Sequence, residues 1–410
     1  MARRALILVE GTSNMLQYVQ AAQRLALYPI TLSANPARYN YLAAEGLEAI
    51  RVDIGNHDAL IRECSRLRTT YDIAGIIGFP YPGEWVCATA GRLCRYFDLP
   101  GPNPESIERC ADKFLQRQLL AEAGVPIPAY RLAANAADIE SAAAEIGLPV
   151  ILKPAVNSGG SYGVQLCRNT EELAEHTTYL LGGEHRWPSS PRILVEEFAQ
   201  GPYYNVDIMG DEVIAICAGE FGPHPNFVAR ELTYPAVLTD DEHNRIADIS
   251  LSGLRALSLG WGPTNFELRW TMRGPVIIEV NPRSPGWPVP QLVQLAYGVD
   301  LVTQHIKLVI GEGWDLRRWH SQTAAARILV PDRNGILDWI DGDSRAAAVP
   351  GVVEVKLYVE PKTAIIRKGD SRDFIGHIIA ASPSRAETAV ALQRGADLID
   401  WSITPFPAEK

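Results

Sequence analysis

Ala5–Val9 (Ala-Leu-Ile-Leu-Val) and Ala74–Gly78 (Ala-Gly-Ile-Ile-Gly) are short runs without a polar residue, and amphipathic segments lie between them. A strand that is apolar on both faces must be covered on both faces. That requirement favours a parallel sheet flanked by helices over a half-solvated antiparallel one, whose strands alternate. The intervening chain fits βα alternation. A polar turn with Gly11, Ser13 and Asn14 leads into a periodic stretch from Met15 to Leu27. Pro29 introduces a second strand, Val52 falls in a third, and a helix is predicted over 57–69. An N-terminal α/β domain is therefore expected over 1–103, closed by the Pro-rich boundary at 100–107.

Beyond that boundary the pattern changes. A helix is predicted from about Asp112 to Gly124, and 149–154 reads as a strand running into a Gly/Ser-rich loop. Segments 192–198, 205–221 and 276–283 read as strands, with Gly210-Asp211 as a hairpin turn. These define an α+β domain over 104–310. A C-terminal α+β domain over 311–410 carries strands near 326–330, 351–359 and 377–382 and a helix over 384–398.

Composition narrows the class of function. The net charge, 38 − 48 = −10, argues against a general nucleic-acid binder. The six cysteines include no C-x-x-C pair and the eight histidines no H-x-x-x-H pair, so neither a zinc site nor a disulfide framework is expected. No apolar stretch approaches the ~18–20 residues of a membrane span. A cytoplasmic protein with no nucleic-acid partner and no membrane association is the expectation.

Three constellations carry chemistry. Lys153 ends a strand and is followed by Asn157, Ser158, Gly159, Gly160, Ser161, Tyr162 and Gly163. A lysine followed by a glycine-rich loop can present one positive charge and several backbone N–H groups to phosphate oxygens. The loop lacks the Walker A order and the G-x-G-x-x-G fingerprint; alone it reads equally well as a surface hairpin. The second constellation pairs Glu267, in Asn265-Phe-Glu-Leu-Arg269, with Glu279-Val-Asn281-Pro-Arg283 twelve residues on. Side chains alternate along a strand, so Glu279 and Asn281 share a face, and hairpin pairing sets Glu267 beside Glu279. Two carboxylates and an amide oxygen form a hard-oxygen site suited to Mg²⁺ bridging phosphates, and Arg283 can neutralise a transferring phosphoryl group. A solvated strand face is the plainer alternative. Third, Arg192–Phe198 runs from an apolar strand into Glu196, Glu197 and Phe198. It reads as a hinge pairing its backbone with a base edge, or simply as an edge strand ending in charges.

The order of these parts resembles the ATP-grasp superfamily. By that resemblance Lys113 and Lys153 hold phosphates, 196–198 is the adenine hinge, and Glu267, Glu279 and Asn281 ligate Mg²⁺, with Mn²⁺ able to substitute. Arg283 then stabilises the transferring phosphoryl, and the loop 157–163 closes as a lid over ATP. Within the superfamily, Asn281-Pro-Arg-Ser-Pro-Gly286-Trp287 and the stretch 368–376 resemble the L-amino-acid ligases. Relatives that carry an acidic ribose-binding residue after the hinge differ from this chain, which has Gly201-Pro-Tyr-Tyr204; Glu197 is the substitute expected for that role.

The resemblance implies that the γ-phosphoryl of ATP passes to a carboxylate, and that an amine displaces phosphate from the acyl phosphate to leave an amide. The partners are then a small carboxylic acid and an amine, and the resemblance is compatible with a homodimer. Gly286, Trp287, Glu231 and His224 are candidate substrate residues, and Asp207 and Glu231 candidate acceptors of the amine proton. Trp314, Trp319 and Trp339 are expected to pack between domains, and Cys167 and Cys217 in the core. An ATP-grasp carboxylase, a purine-pathway-type ligase and a nucleotide-binding regulator without catalysis are the competing readings.

Overall fold

The computed structural model describes residues 2–11, 15–39, 42, 46–81, 83–156, 159–182 and 190–407. At the N-terminus β1 (Arg3–Val9), β2 (Tyr28–Ser33), β3 (Glu48–Arg51) and β4 (Tyr71–Gly78) form a parallel sheet in the order β3-β2-β1-β4. The apolar runs are buried on both faces, as their composition requires: Ala5, Leu6, Ile7, Leu8 and Val9 are all fully buried. Odd and even residues of β1 feed two separate clusters, one with Leu60 and Leu93 and the other with Tyr18 and Ile306. The second cluster draws on the helix Leu301–Val309, so a segment from far along the chain covers one face of the first sheet. Val52 lies just past the end of β3, where its N–H bonds the Ser33 carbonyl.

After the Pro-rich boundary two helices, Pro104–Ala111 and Lys113–Glu122, lead to a four-stranded antiparallel sheet. Its strands are β5 (Tyr130–Ala133), β6 (Val150–Pro154), β7 (Gln165–Cys167) and β8 (Ile193–Glu197), in the order β5-β8-β6-β7. A large antiparallel sheet follows. β9 (Tyr203–Met209) and β10 (Glu212–Phe221) form the hairpin turning at Gly210-Asp211, followed by β11 (Ala229–Tyr234). β12 (Pro263–Thr271) and β13 (Gly274–Asn281) form a second hairpin, and β14 (Thr323–Leu329) follows. β15 (Gly335–Asp341), β16 (Val352–Leu357), β17 (Ala364–Ile365), β18 (Gly376–Ser382) and β19 (Asp400–Thr404) complete the chain.

The large sheet runs β13-β12-β9-β10-β11-β14-β18-β16. It crosses residue 310 without a break, because β11 pairs with β14 antiparallel, Glu231 opposite Arg327. The last segments therefore extend the sheet that carries the acidic hairpin. Only β15, β17 and β19 form a separate three-stranded sheet. Two of the tryptophans expected between domains face solvent instead: Trp319 is 72% and Trp339 45% exposed, whereas Trp314 packs on the core around Tyr297. Cys167 and Cys217 are buried, and the six cysteines are free thiols.

Candidate active site

The β12–β13 hairpin sets the chemistry. Its register places Glu267 directly opposite Glu279 and Asn265 opposite Asn281. β9 flanks β12 on the other side, with Asn205 opposite Glu267. Burial, and then the charge of Glu279, push the Glu267 carboxyl above the usual carboxylate range. Burial acts on Glu279 too, but Lys113 and Lys153 overcome it and hold that carboxyl below its ordinary value. Lys113 Nζ sits 2.7 Å from Glu279 Oε1. Among the described residues no group of three or more His, Cys, Asp or Glu side chains forms a metal cage. Two carboxylates and an amide oxygen instead match the partial set that Mg²⁺ takes when phosphates supply the remaining ligands.

Lys113 is placed by helix capping. The Asp112 side chain accepts hydrogen bonds from the N–H groups of Phe114 and Leu115 at 2.9 and 3.2 Å, and Arg192 holds its other oxygen at 2.7 Å. One turn on, Gln116 clamps the helix to β13. Its amide donates to the Val280 carbonyl and accepts from the Val280 N–H, both at 2.9 Å. The next residue, Arg117, is fully buried and lies 2.6 Å from Glu196. Glu196 also holds Lys153 at 2.6 Å. Thus Glu196 lies between two cations at the edge of the cavity over the hinge. Burial lowers Lys153 despite Glu196, whereas Arg117 and Lys153 together keep Glu196 low against its own burial.

Glu197 is pinned by Arg273 at 2.6 Å and bonds the Ala129 N–H, yet it still borders the cavity over the hinge. Phe198 continues into an aromatic group with His224 and Phe227, their ring centroids 5.5 and 6.4 Å from its own. His224 therefore stands beside Phe198 at the hinge and lines neither of the two main cavities. Glu231 forms an ion pair with Arg327 at 2.9 Å across β11 and β14 and lines neither of the two main cavities. Asp207 is likewise off both cavities. Tyr234 and Asn265 donate to it at 2.6 and 3.0 Å, and burial pushes its pKa up to about 6.

The glycine loop folds as one tight turn over Gly159–Ser161. Gly160 has φ +67°, and a Cβ there would come 2.2 Å from Ser371 Oγ. The Arg372 guanidinium lies 4.6 Å over the Tyr162 ring. Gly163 is also left-handed, and its carbonyl is 2.9 Å from His176 Nε2. Ser158 lies outside the described residues.

Two cavities meet at Glu279, Arg283 and Gly286. The smaller, about 310 Å³, is lined by the hinge, Lys153, the acidic pair and an apolar set of Leu232, Trp287, Val289, Ile328 and Phe374. The larger, about 730 Å³, opens toward the C-terminal end of β4 and is lined by Phe79, Tyr81, Glu84, Lys113 and Ser284. Ligands of open α/β sheets bind at such strand ends, and this rule could have picked out Glu84 from sequence. Burial raises the Glu84 carboxyl in spite of Arg283 and Lys113 nearby. Arg283 Nε lies 3.4 Å from Glu84 without a directed hydrogen bond, and the guanidinium's other contacts, to Ser284 O and Asn281 Oδ1, are both 3.3 Å. It is a loosely held cation where the two cavities join.

The chain resembles known families and proteins. Residues 112–318 match the family described as the carbamoyl-phosphate synthase L chain, ATP binding domain, and residues 327–404 match L-amino acid ligase C-terminal domain 2. The uncharacterized protein y4rH of Sinorhizobium fredii (strain NBRC 101917 / NGR234) is 58% identical over 405 residues, 98% of this chain and 84% of that protein. Human carnosine synthase 1 is 28% identical over 57% of this chain, which spans 30% of that protein's length. The crystal structure of an L-amino acid ligase from Bacillus licheniformis superposes with a TM-score of 0.81 at 18% identity, covering 98% of this chain and all of that one.

Proposed function

The chain belongs to the ATP-grasp carboxylate–amine ligases, and from that premise we propose that it joins two small substrates, an amino acid or related acid and an amine, through an acyl phosphate, with release of ADP and phosphate. The observation that carries the reading is the placement of Arg283 beside the Glu267/Glu279/Asn281 set, where a nucleotide-sized cleft meets a second cavity. The cleft takes ATP, with the backbone of 196–198 against the base and Lys113 and Lys153 on the phosphates. Glu267, Glu279 and Asn281 would hold Mg²⁺, which on binding relieves the repulsion between the two carboxylates and neutralises charge on the phosphates.

Arg283 orients the acid's carboxylate toward the γ-phosphorus. A carboxylate oxygen forms the new P–O bond as the bond to the β-phosphate bridging oxygen breaks. The amine nitrogen then attacks the acyl carbon, the C–O bond to phosphate breaks, and the nitrogen gives up a proton. Asp207 and Glu231 do not line either cavity; Glu84, raised by burial and lining the larger one, is our candidate to hydrogen-bond the neutral amine and accept that proton. Gly286 lines both cavities and Trp287 the apolar end of the smaller one, where the acid would lie beyond the phosphates with the indole limiting its side chain. The glycine turn excludes water from the acyl phosphate.

An ADP-release screen over pairs of amino acids and small acids, with products identified by mass spectrometry, tests this reading. Amide formation with ADP and phosphate is expected. AMP and pyrophosphate would refute the acyl-phosphate route, and ADP release on bicarbonate alone would favour a carboxylase.

A further inference from the structure

His377 is fully buried, lines neither main cavity, and is held from two sides. Its Nε2 lies 2.7 Å from Glu354 Oε1, and its Nδ1 meets the Tyr358 hydroxyl. Glu354 and Tyr358 come from β16 and the residue just after it. Gln291, on the helix that follows Trp287, donates to the second Glu354 oxygen at 3.4 Å. The Trp287 indole rests against His377, with centroids 6.0 Å apart and planes at 63°, its Nε1 being 3.4 Å from the same Nε2. One nitrogen cannot both accept from the indole and donate to the carboxylate. The shorter, charge-assisted contact wins, so the proton sits on Nε2 facing Glu354, and Tyr358 donates to Nδ1. The indole contact is then edge-to-face packing against a ring whose angle is set by two other partners.

We infer that His377, fixed by Glu354 and Tyr358, is a positioning residue that sets the angle of Trp287 and so the depth of the acid pocket. The inference rests on the reading that Trp287 borders the acid substrate. Its physical content is that a wall is only as discriminating as its backing. A tryptophan with space behind it swings aside for a larger side chain at little penalty, whereas one seated on a fixed imidazole does not. The backing comes from β18 and β16, beyond residue 310, and the wall from the loop after β13. The match of residues 327–404 to an amino-acid-ligase C-terminal domain thereby gains a role in substrate choice.

The test uses the full-length protein, a fixed amine partner, and glycine, L-alanine, L-valine and L-phenylalanine as acids, scored by kcat/KM for ADP release. Trp287→Ala fixes the direction and size of the shift toward larger acids. His377→Ala is expected to shift the phenylalanine-to-alanine ratio the same way by about fivefold or more, mainly through KM. His377→Phe, which refills the space, should return the ratio to near wild type. Trp287→Ala/His377→Ala should show no further shift beyond Trp287→Ala, because the two act through one contact. Glu354→Gln, at a partly exposed strand position, should give a smaller shift in the same direction and stands in if His377→Ala does not fold. Reordering by Trp287→Ala with an unchanged ratio in His377→Ala, or in Glu354→Gln where that variant stands in, overturns the inference and leaves the pocket reading intact. No reordering by Trp287→Ala overturns the pocket reading and the inference with it.

Discussion

Gly160 and Gly159 are adjacent in a loop that reads as uniformly glycine-rich, yet the structure separates them. Gly160 lies at φ +67°, ψ 30°, in the left-handed region, whereas a Cβ on Gly159 would meet nothing within 4 Å. A non-glycine residue in the left-handed conformation costs roughly 1–2 kcal/mol. The new Cβ would also sit 2.2 Å from Ser371 Oγ and 3.0 Å from Ser371 Cβ, so the serine must leave its rotamer or the turn must shift. Displacing a side chain from its preferred rotamer adds about 0.5–1.5 kcal/mol. Together the two effects penalise this turn by about 1.5–3.5 kcal/mol in Gly160→Ala. At 1.4 kcal/mol per tenfold change, the arrangement is depopulated roughly 10- to 300-fold.

Because the turn is exposed and contributes little to the core, the penalty should appear as a raised KM for ATP and not as a lower global stability. Gly159→Ala should stay within about twofold of wild type, since neither backbone strain nor a clash opposes it. Ser371→Ala in the Gly160→Ala background removes the nearest atom but leaves the backbone strain, so it should recover only part of the loss. Steady-state ADP release at varied ATP, with urea unfolding of each variant, reads all of this. Equal damage from Gly159→Ala and Gly160→Ala, or complete rescue by Ser371→Ala, would refute the assignment of strain to Gly160.

Two further outcomes are expected. Glu279→Gln keeps shape but removes one charge from the metal set and from the Lys113 pair, and should lower kcat by ~10²-fold or more; near wild-type turnover at saturating Mg²⁺ would make Glu279 a structural charge only. Glu196→Gln strands Arg117 and Lys153 in the interior and should cost about 3–5 kcal/mol in urea unfolding at neutral pH. Since the folded state depresses the Glu196 pKa, its contribution is present above the unfolded carboxylate value and fades as pH falls through the lower folded one. Glu196→Gln should therefore flatten the acid limb of the wild-type stability profile, and an identical acid limb in the variant would contradict this.

The acidic hairpin was legible because two independent rules converged on it. Strand alternation put Glu279 and Asn281 on one face, and the twelve-residue spacing predicted the Glu267–Glu279 register found in β12 and β13. The N-terminal parallel sheet was legible for a similar reason, since runs apolar on both faces leave few alternatives. Trp319 and Trp339 were misjudged because a large apolar side chain is only a prior for burial, and single exposed ones are common. Continuity of the large sheet past residue 310 was not readable at all, because the pairing of β11 with β14 joins segments ~90 residues apart and neither strand's pattern specifies its neighbour.

The residues most clearly missed are Gln116 and Arg117, and the signal for them was present. Lys113, Gln116, Arg117 and Leu120 fall at i, i+3, i+4 and i+7, the spacing of a buried helical face. Three polar residues on such a face read as a solvated stripe, so the pattern alone does not mark it as the buried side. The structure shows why the polar face turns in: each charge on it, and the lysine it faces, meets a carboxylate, Lys113 with Glu279 and both Arg117 and Lys153 with Glu196. Burying any one of these groups alone would be prohibitive, so each side chain of the set requires the others. The same pairing explains how lysines suited to phosphates remain at fixed positions without a ligand. If ATP binds as proposed, a phosphate approaching Lys113 would compete with Glu279 for the ammonium and free that carboxylate for a divalent cation. On the proposed reading, nucleotide and metal binding would be coupled through the 2.7 Å Lys113–Glu279 contact, and Glu279→Gln should weaken that coupling as well as turnover.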